Sequence, residues 1–393
     1  MLKHPLRLTL FSLLLTALTA CSAAPAALPP RPIPSAVAAS PTPFVPASDT
    51  PQPPTPLPPS PSPTLPPSST PTPEPPTLTP TASPLPRASL LFTGVIVPAR
   101  CVQSAIDERG SADYIFDGVR DLIQQADLAI GVFNATMSDY PPRTGCVRTY
   151  VLVGGSSNAD ALAAAGFDVM NVATNHIKNC GLGDCGDRAF LDTLDNLNRV
   201  GILSVGAADN LVNALLPVVV PINGVRFGFV ALGMVEPMAF AGPDTPGIAV
   251  LNEDNLRAAI AAARQVSDVV IAMPHWGPED TPNPNSYQLD YARIAVEAGA
   301  DVVVGNHTHV VQAIQEIDGV TVFYGLGNFV FDQNWDLAHQ QGVILRLNFE
   351  GSRYLGYELI PTHVEGNGTV TIAAESEAAE ILARIQTASD KLK

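Results

Sequence analysis

From Ser89 onward, apolar runs of strand length alternate with segments of helical periodicity. The runs LAIGVF (128–133) and VRFGFVALG (225–233) have the pattern of buried strands, and DRAFLDTLDNLNRVG (187–201) has the apolar spacing of an amphipathic helix. A further helix is predicted over Asp113–Gln125, and the last part of the chain is predicted as strands before a closing helix. This order predicts an α/β core sheet with a second, mixed sheet packed on it.

Polar residues follow three of the predicted strands at the point where each strand ends. They are Asn175 and His176 in VATNH, His275 and Glu279 in AMPHWGPE, and His307 and His309 in VVGNHTH. A single histidine at such a position is more often a hydrogen-bonded structural residue. Because ligands bind beyond the carboxyl ends of strands in such sheets, however, four of the seven histidines placed there predict convergence on one sheet edge. Imidazole and amide oxygen suit zinc, manganese or iron.

Four motifs between residues 167 and 332 carry a family resemblance. They are FDVMNVATNH, VVIAMPHWGPED, GADVVVGNHTHVVQAIQEIDG and VTVFYGLGNFVFD. In this order they are similar to the CapA (poly-γ-glutamate capsule synthesis) family, whose domain resembles the calcineurin-like metallophosphoesterases. The resemblance implies a four-layer α/β/β/α sandwich of metallophosphoesterase type. It also implies that Asn175, His275, His307 and His309 hold one or two metal ions, with His176 near the reacting centre.

Two positions depart from the family pattern. Val95 stands where the family has the aspartate of Gly-Asp, and Asn134 stands where it has the glutamate of Asn-Leu-Glu. A pair of dications about 3.5–4 Å apart needs anionic oxygens between them. We therefore expect one divalent transition metal ion (Mn, Zn or Fe) rather than two. Its expected ligands are Asn175, His275 and His307, with Asn134 or His309 in support and Asp139 as a substitute carboxylate.

The expected chemistry is metal-assisted hydrolysis, in which His176 is the candidate general acid for the leaving group. Two hypotheses stay open. In the first, the protein is a metal-dependent hydrolase or transferase acting on an envelope polymer. In the second, the lost carboxylates at Val95 and Asn134 leave a binding or assembly protein without turnover. A solute-binding lipoprotein is a third alternative, but it does not account for the histidines.

The start of the chain has the pattern of an export signal. Residues 1–20 have a basic start and an apolar run, and they end in Leu-Thr-Ala before Cys21, as in a bacterial lipoprotein signal peptide. An ordinary cleaved signal with an incidental cysteine is the alternative. Residues 21–87 are rich in Pro, Thr and Ser and predict a disordered, polyproline-like stalk. Residues 88–393 form the predicted folded domain.

The net charge excludes some classes of binding partner, and the cysteines predict disulfide bonds. The formal charge is −16, and without residues 1–20 the chain has 19 basic and 37 acidic residues, a charge of −18. This excess disfavours nucleic acid, and it disfavours a polyanionic substrate unless cations in the site offset the repulsion. The cysteines beyond Cys21 predict a Cys180–Cys185 disulfide across CGLGDC and a Cys101–Cys146 disulfide, with a zinc site as the alternative.

These features together predict an exported membrane lipoprotein with an extracellular domain, anchored to the membrane through lipidated Cys21. The family resemblance implies a role in capsule, poly-γ-glutamate or other envelope-polymer biosynthesis. The expected partners are an envelope polymer of the poly-γ-glutamate type or other capsule-assembly proteins.

Overall fold

The computed structural model describes residues 85–180 and 186–393. The predicted signal peptide, Cys21, nearly all of the predicted stalk and Cys185 lie outside the described residues, so the predictions about them stay predictions. Across the described ranges, no helix combines the length and the apolar character needed to cross a membrane.

The strands of the first half of the domain are β1 (Arg87–Ile96), β2 (Leu128–Phe133), β3 (Thr136–Met137), β4 (Val153–Gly154), β5 (Val169–Asn171), β6 (Leu203–Val205), β7 (Ala207–Ala208), β8 (Val218–Ile222) and β9 (Val225–Gly233). Those of the second half are β10 (Gly247–Ile248), β11 (Val269–His275), β12 (Val302–Val304), β13 (Ile314–Ile317), β14 (Val320–Phe323), β15 (Asn328–Val330), β16 (Gln341–Glu350), β17 (Arg353–Val364) and β18 (Val370–Ile372). The helices are α1 (Arg100–Arg109), α2 (Arg120–Gln124), α3 (Asn158–Ala165), α4 (Gly186–Arg199), α5 (Leu211–Ala214), α6 (Glu253–Val266), α7 (Ser286–Ala298) and α8 (Glu375–Asp390).

Two sheets form the centre of the domain. The first has the order β18-β17-β16-β1-β2-β5-β6, with β15 also pairing with β1. In it β1, β2, β5 and β6 are parallel, whereas β16, β17 and β18 are antiparallel. The second sheet has the order β13-β14-β12-β11-β9-β8, with a parallel centre and antiparallel edge strands. The carboxyl ends of the parallel strands carry the residues considered below.

The two sheets pack face to face through aromatic side chains. The ring centroids of Phe92 and Phe229 lie 6.5 Å apart, and those of Phe227 and Phe349 lie 5.1 Å apart. Helices α6 and α7 cover the other face of the second sheet, and α1 to α4 pack with the first sheet. The domain is thus the four-layer α/β/β/α sandwich that the resemblance implied. Strands β2, β11 and β12 are buried on both faces and are apolar except for His275 at the end of β11.

The ends of helix α7 are well defined and set the start of strand β12, which precedes two of the candidate histidines. Helix α7 starts with a capping box, in which Asn285 and Gln288 each accept a hydrogen bond from the other's backbone N–H. It ends at Gly299, whose φ of 102° lies in the left-handed region that suits glycine. This short connection leads directly into β12 and the sequence Gly-Asn-His-Thr-His.

Three local predictions were wrong or incomplete. Helix α1 was not predicted, and β15 was not predicted as a strand. The helix predicted over Asp113–Gln125 is a 3₁₀ turn, Asp113–Phe116, followed by the short α2. A Cβ at Gly118 would lie 2.6 Å from the Val370 carbonyl oxygen, so the close approach of β18 coincides with the break.

The predicted Cys101–Cys146 disulfide is confirmed. It joins the start of α1 to the long connection between β3 and β4. The predicted Cys180–Cys185 bond depends on Cys185, which the structure does not describe, and it stays a prediction.

Candidate metal centre

The candidate residues come from both sheets rather than from one sheet edge as expected. Asn175 and His176 follow β5 of the first sheet, whereas His275 ends β11 and both His307 and His309 follow β12 of the second sheet. The strand ends adjoin because the two sheets pack face to face. The side-chain Nδ2 of Asn171, the last residue of β5, donates to the Met273 carbonyl of β11 over 3.1 Å.

Three donor atoms converge at this junction. His275 Nε2 lies 2.9 Å from Asn175 Oδ1 and 3.1 Å from His307 Nδ1. Two ligand atoms at about 2.1 Å from one ion, at right angles to each other, are about 3 Å apart. The two separations, both measured from His275 Nε2, are therefore of the size expected for two imidazoles and one amide oxygen around a single divalent ion. Whether these residues bind a metal stays a prediction.

Asparagines outside this donor set orient the histidines. Asn306 Oδ1 contacts His275 Nδ1, and Asn306 Nδ2 donates to the Pro274 carbonyl over 3.2 Å. The amide thereby favours the tautomer in which His275 Nδ1 carries the hydrogen and Nε2 presents its lone pair. Asn328 Oδ1 lies 2.8 Å from His309 Nδ1 and fixes that ring in the same way. The sequence motifs contained both asparagines, but their position relative to the rings could not be read from spacing.

The backbone at the two adjacent histidines is strained. His307 has φ = 101° and His309 has φ = 59°, values that residues with a Cβ seldom adopt. Such outliers cost about 1–3 kcal/mol each and persist where the surrounding structure enforces them. The strain allows a single short segment to bring both rings to the junction, with their centroids 6.1 Å apart.

Burial keeps the histidines neutral. It lowers the pKa of His275 to about 3 and the pKa of both His176 and His309 to about 4, and it holds the pKa of His307 well below the usual value. Near pH 7 their ring nitrogens are therefore available as lone-pair donors. Glu279 is the nearby carboxylate, with Oε1 at 4.0 Å from His307 Nε2 and 3.9 Å from His309 Nε2. Burial, and then the charge of Asp280, raises its pKa.

No other protein carboxylate completes the donor set. Within the two described ranges, no group of three His, Cys, Asp or Glu side chains is arranged to hold a metal ion. Val95 is buried in β1 beside Val132 and supplies no donor. Asp139, considered as a substitute, is exposed and bonded to Arg143 and Ser156 instead.

Asn134 serves the site indirectly. Its Oδ1 accepts a hydrogen bond from the backbone N–H of His176 over 3.0 Å, whereas its buried Nδ2 has no partner. The side chain therefore positions the segment that carries Asn175 and His176. The amide oxygen keeps a second lone pair, and metal binding by Asn134 stays a prediction.

A cavity of about 510 Å³ opens beside His176 and His309. The buried Nδ1 of His176 has no hydrogen-bond partner. The other lining residues include Arg100, Arg148, Tyr150, Glu279 and Trp335. Sequence reasoning missed the two arginines and the aromatic residues, because they come from the start of α1 and from connections that are distant in the sequence.

The chain is similar to known bacterial proteins. A family profile described as "Bacterial capsule synthesis protein PGA_cap" matches residues 89–333. The chain is 30% identical over 258 residues to the PGA biosynthesis protein CapA of Bacillus subtilis, covering 65% of this chain and 66% of that protein. It is 28% identical over 289 residues to the capsule biosynthesis protein CapA of Bacillus anthracis, covering 71% and 68%. It therefore spans about two thirds of the length of these relatives.

Solved structures are similar at lower identity. A novel phosphatase from Mycoplasma pneumoniae has a TM-score of 0.44 and 13% identity, covering 70% of this chain and 94% of that one. A putative 5'-nucleotidase from Staphylococcus aureus has a TM-score of 0.44 and 14% identity, covering 76% and 58%. The profile match spans well over half of the chain. The chain therefore belongs to the bacterial capsule synthesis protein PGA_cap family.

Proposed function

We propose that this protein is an exported lipoprotein of capsule or other envelope-polymer synthesis whose domain binds one divalent metal ion and acts as a hydrolase or transferase. The observation that supports the metal site is the position of His275 Nε2, which lies 2.9 Å from Asn175 Oδ1 and 3.1 Å from His307 Nδ1. The names of the relatives support the role in the envelope, because both are described as capsule or PGA biosynthesis proteins.

A bound divalent ion would supply Lewis acidity that lowers the pKa of water towards neutral. The protein's own groups would divide the remaining work. Neutral His275 and His307 hold the ion through unprotonated nitrogens, and Asn306 keeps His275 in the required tautomer. The cavity beside His176 offers space for a substrate group.

His176 would carry a proton through its buried Nδ1. Burial lowers the pKa of His176 to about 4, so the imidazole starts neutral near pH 7 and would act as general acid only after it has taken up a proton. Its ring is held by a hydrogen bond to the Tyr150 backbone, while Nδ1 has no partner among the described residues. We assign it the role of accepting a proton from the nucleophile and returning it to the leaving group.

A second candidate function is binding or assembly of the polymer without turnover. Val95 favours it, because the apolar side chain lies buried where the family has a carboxylate. In this case the histidines would hold a structural ion or none.

Metal analysis of the purified exported protein tests the proposal. We expect up to one equivalent of Mn, Zn or Fe per chain, lost in His275→Ala and in His307→Ala. His363→Ala is the matched control, since His363 lies on β17 and pairs with Glu377 at 2.8 Å. A protein without bound metal after loading would overturn the metal site. Metal binding without hydrolysis of any chromogenic phosphodiester or amide would favour the second function.

A further inference from the structure

The cavity beside His176 has two cationic side chains in different states. Arg100 is neutralised, because its guanidinium forms an ion pair with Asp332 and both side chains are nearly fully buried, at 6% and 5% exposure. Arg148 has no ion pair with any carboxylate among the described residues. Its guanidinium instead lies over the Trp335 ring, 4.3 Å from the ring centroid.

The acidic groups of the cavity wall do not compensate Arg148. Asp280 binds His339 over 2.6 Å, and Glu279 lies towards His307 and His309. Arg148 is thus an unbalanced cation at the rim of the cavity in a chain of formal charge −16. An arginine stacked on an aromatic ring keeps its planar fork of donors free for an anionic oxygen group.

The backbone on both sides of Arg148 is tied down. Two residues earlier, Cys146 forms the disulfide with Cys101. One residue later, the Thr149 carbonyl accepts a hydrogen bond of 2.9 Å from Arg100 Nη1. The guanidinium therefore starts from a restricted position, which lowers the entropy lost on binding a ligand.

We propose that Arg148 is a specificity-determining residue that binds an anionic oxygen group of the substrate, a carboxylate or a phosphate, at the rim of the cavity with Trp335 as its stacking platform. The inference rests on the proposed function, because it places the substrate beside His176 and the histidine cluster. It adds a recognition residue that lies outside the four motifs. The positive charge of Arg148 would also offset, within the cavity, the repulsion between an acidic protein and an anionic substrate.

Tryptophan fluorescence gives a direct measurement. The chain contains two tryptophans. Trp276 is fully buried and stacked on Tyr324, whereas Trp335 is 42% exposed and contacts Arg148. Titration of the purified protein with succinate, and separately with inorganic phosphate, should produce a saturable change in emission. The change should be absent in Trp335→Phe, which identifies its source.

Two arginine variants separate a specific site from a general charge effect. Arg148→Gln should weaken binding of the better anion at least about tenfold, the loss expected for a charge-assisted hydrogen bond. Arg109→Gln is the matched control, because Arg109 also stacks on an aromatic ring, Tyr114 at 3.9 Å, and does not line the cavity. Within residues 85–180 and 186–393, Arg109 forms no ion pair with a carboxylate. The Arg109→Gln variant should bind as the unchanged protein does. Equal thermal midpoints in both variants would show that folding is intact.

The titrations are run on the protein as purified and again after chelation of any metal. Binding that requires Arg148 in both states supports the proposal, and a preference for succinate or for phosphate identifies the kind of anion. The absence of saturable binding by either anion would overturn it, as would equal weakening in Arg148→Gln and Arg109→Gln. Metal content is measured separately from anion binding. A protein without metal would overturn the proposed metal site, whereas a protein without saturable anion binding would overturn the proposed role of Arg148.

Discussion

Removal of the Cys101–Cys146 disulfide should lower stability by a calculable amount. The bond joins residues 45 positions apart, and a crosslink of this span removes conformational entropy from the unfolded chain worth about 4 kcal/mol at 25 °C. A domain of about 300 residues has an unfolding entropy of about 0.6 kcal/mol per degree. We therefore expect Cys101→Ser with Cys146→Ser to lower Tm by about 6 °C.

The same change should act on the cavity. Without the disulfide, the segment that carries Arg148 is held mainly by the Arg100–Thr149 hydrogen bond and by the ion pairs of Arg143 with Asp107 and Asp139. Those ion pairs are partly exposed and contribute at most about 1 kcal/mol each. Anion affinity should fall because the segment must become ordered on binding, whereas metal content should not change.

Guanidinium chloride unfolding of the oxidised protein, followed by far-ultraviolet circular dichroism, measures the difference. Cys101→Ser alone is the companion variant, because it breaks the same bond and leaves one free thiol. Both variants should lose a similar free energy. A double variant within about 1 kcal/mol of the unchanged protein would refute the reasoning, since the closed loop would then not restrict the unfolded chain.

Three further outcomes are expected. Asp332→Asn leaves its buried arginine partner without a counter-charge and should cost about 3–5 kcal/mol in denaturant unfolding, whereas Glu350→Gln, whose partner Arg353 is exposed, should cost under about 1 kcal/mol. For His176 and His309 the pKa in the folded protein, about 4, lies below the unfolded value of 6.5. The stability that they contribute is therefore complete above pH 6.5 and falls by up to about 3 kcal/mol per histidine as the pH drops towards 4. Urea unfolding midpoints should decline between pH 6.5 and 4, and a flat profile would contradict the prediction. Val95→Asp with Asn134→Glu should raise the metal content, measured by elemental analysis, from one equivalent towards two, because the added carboxylates offset the repulsion between the dications. An unchanged metal content would show that the pocket no longer accommodates a second ion.

Sequence reasoning succeeded where one periodicity dominated. LAIGVF and VRFGFVALG form β2 and β9 with the predicted bounds. Helix α1 was missed because RCVQSAIDER buries only two apolar residues and has no side-chain cap at its start. Its position depends on the Arg100–Asp332 pair, which joins residues 232 positions apart.

In the candidate site, too, some features could be predicted from the sequence and others could not. His275, His307 and Asn175 were predicted because each follows an apolar run, a signal that is local in sequence. The partnership of Asn306 with His275, and the stacking of Arg148 on Trp335, depend on how distant connections meet. No spacing along the chain encodes those contacts. The sequence also did not show that the site residues come from two sheets rather than from one sheet edge, because the packing of the sheets depends on contacts between distant residues.

The left-handed backbone at His307 and His309 has a consequence for how this domain would evolve under selection. Glycine would adopt both conformations without strain, so replacing either histidine by glycine should release part of the conformational energy and favour the folded state locally. A population of variants screened only for heat resistance would then be enriched in glycine at these two positions. Persistence of histidine there through such a screen would mean that its contacts to neighbouring side chains outweigh the backbone strain.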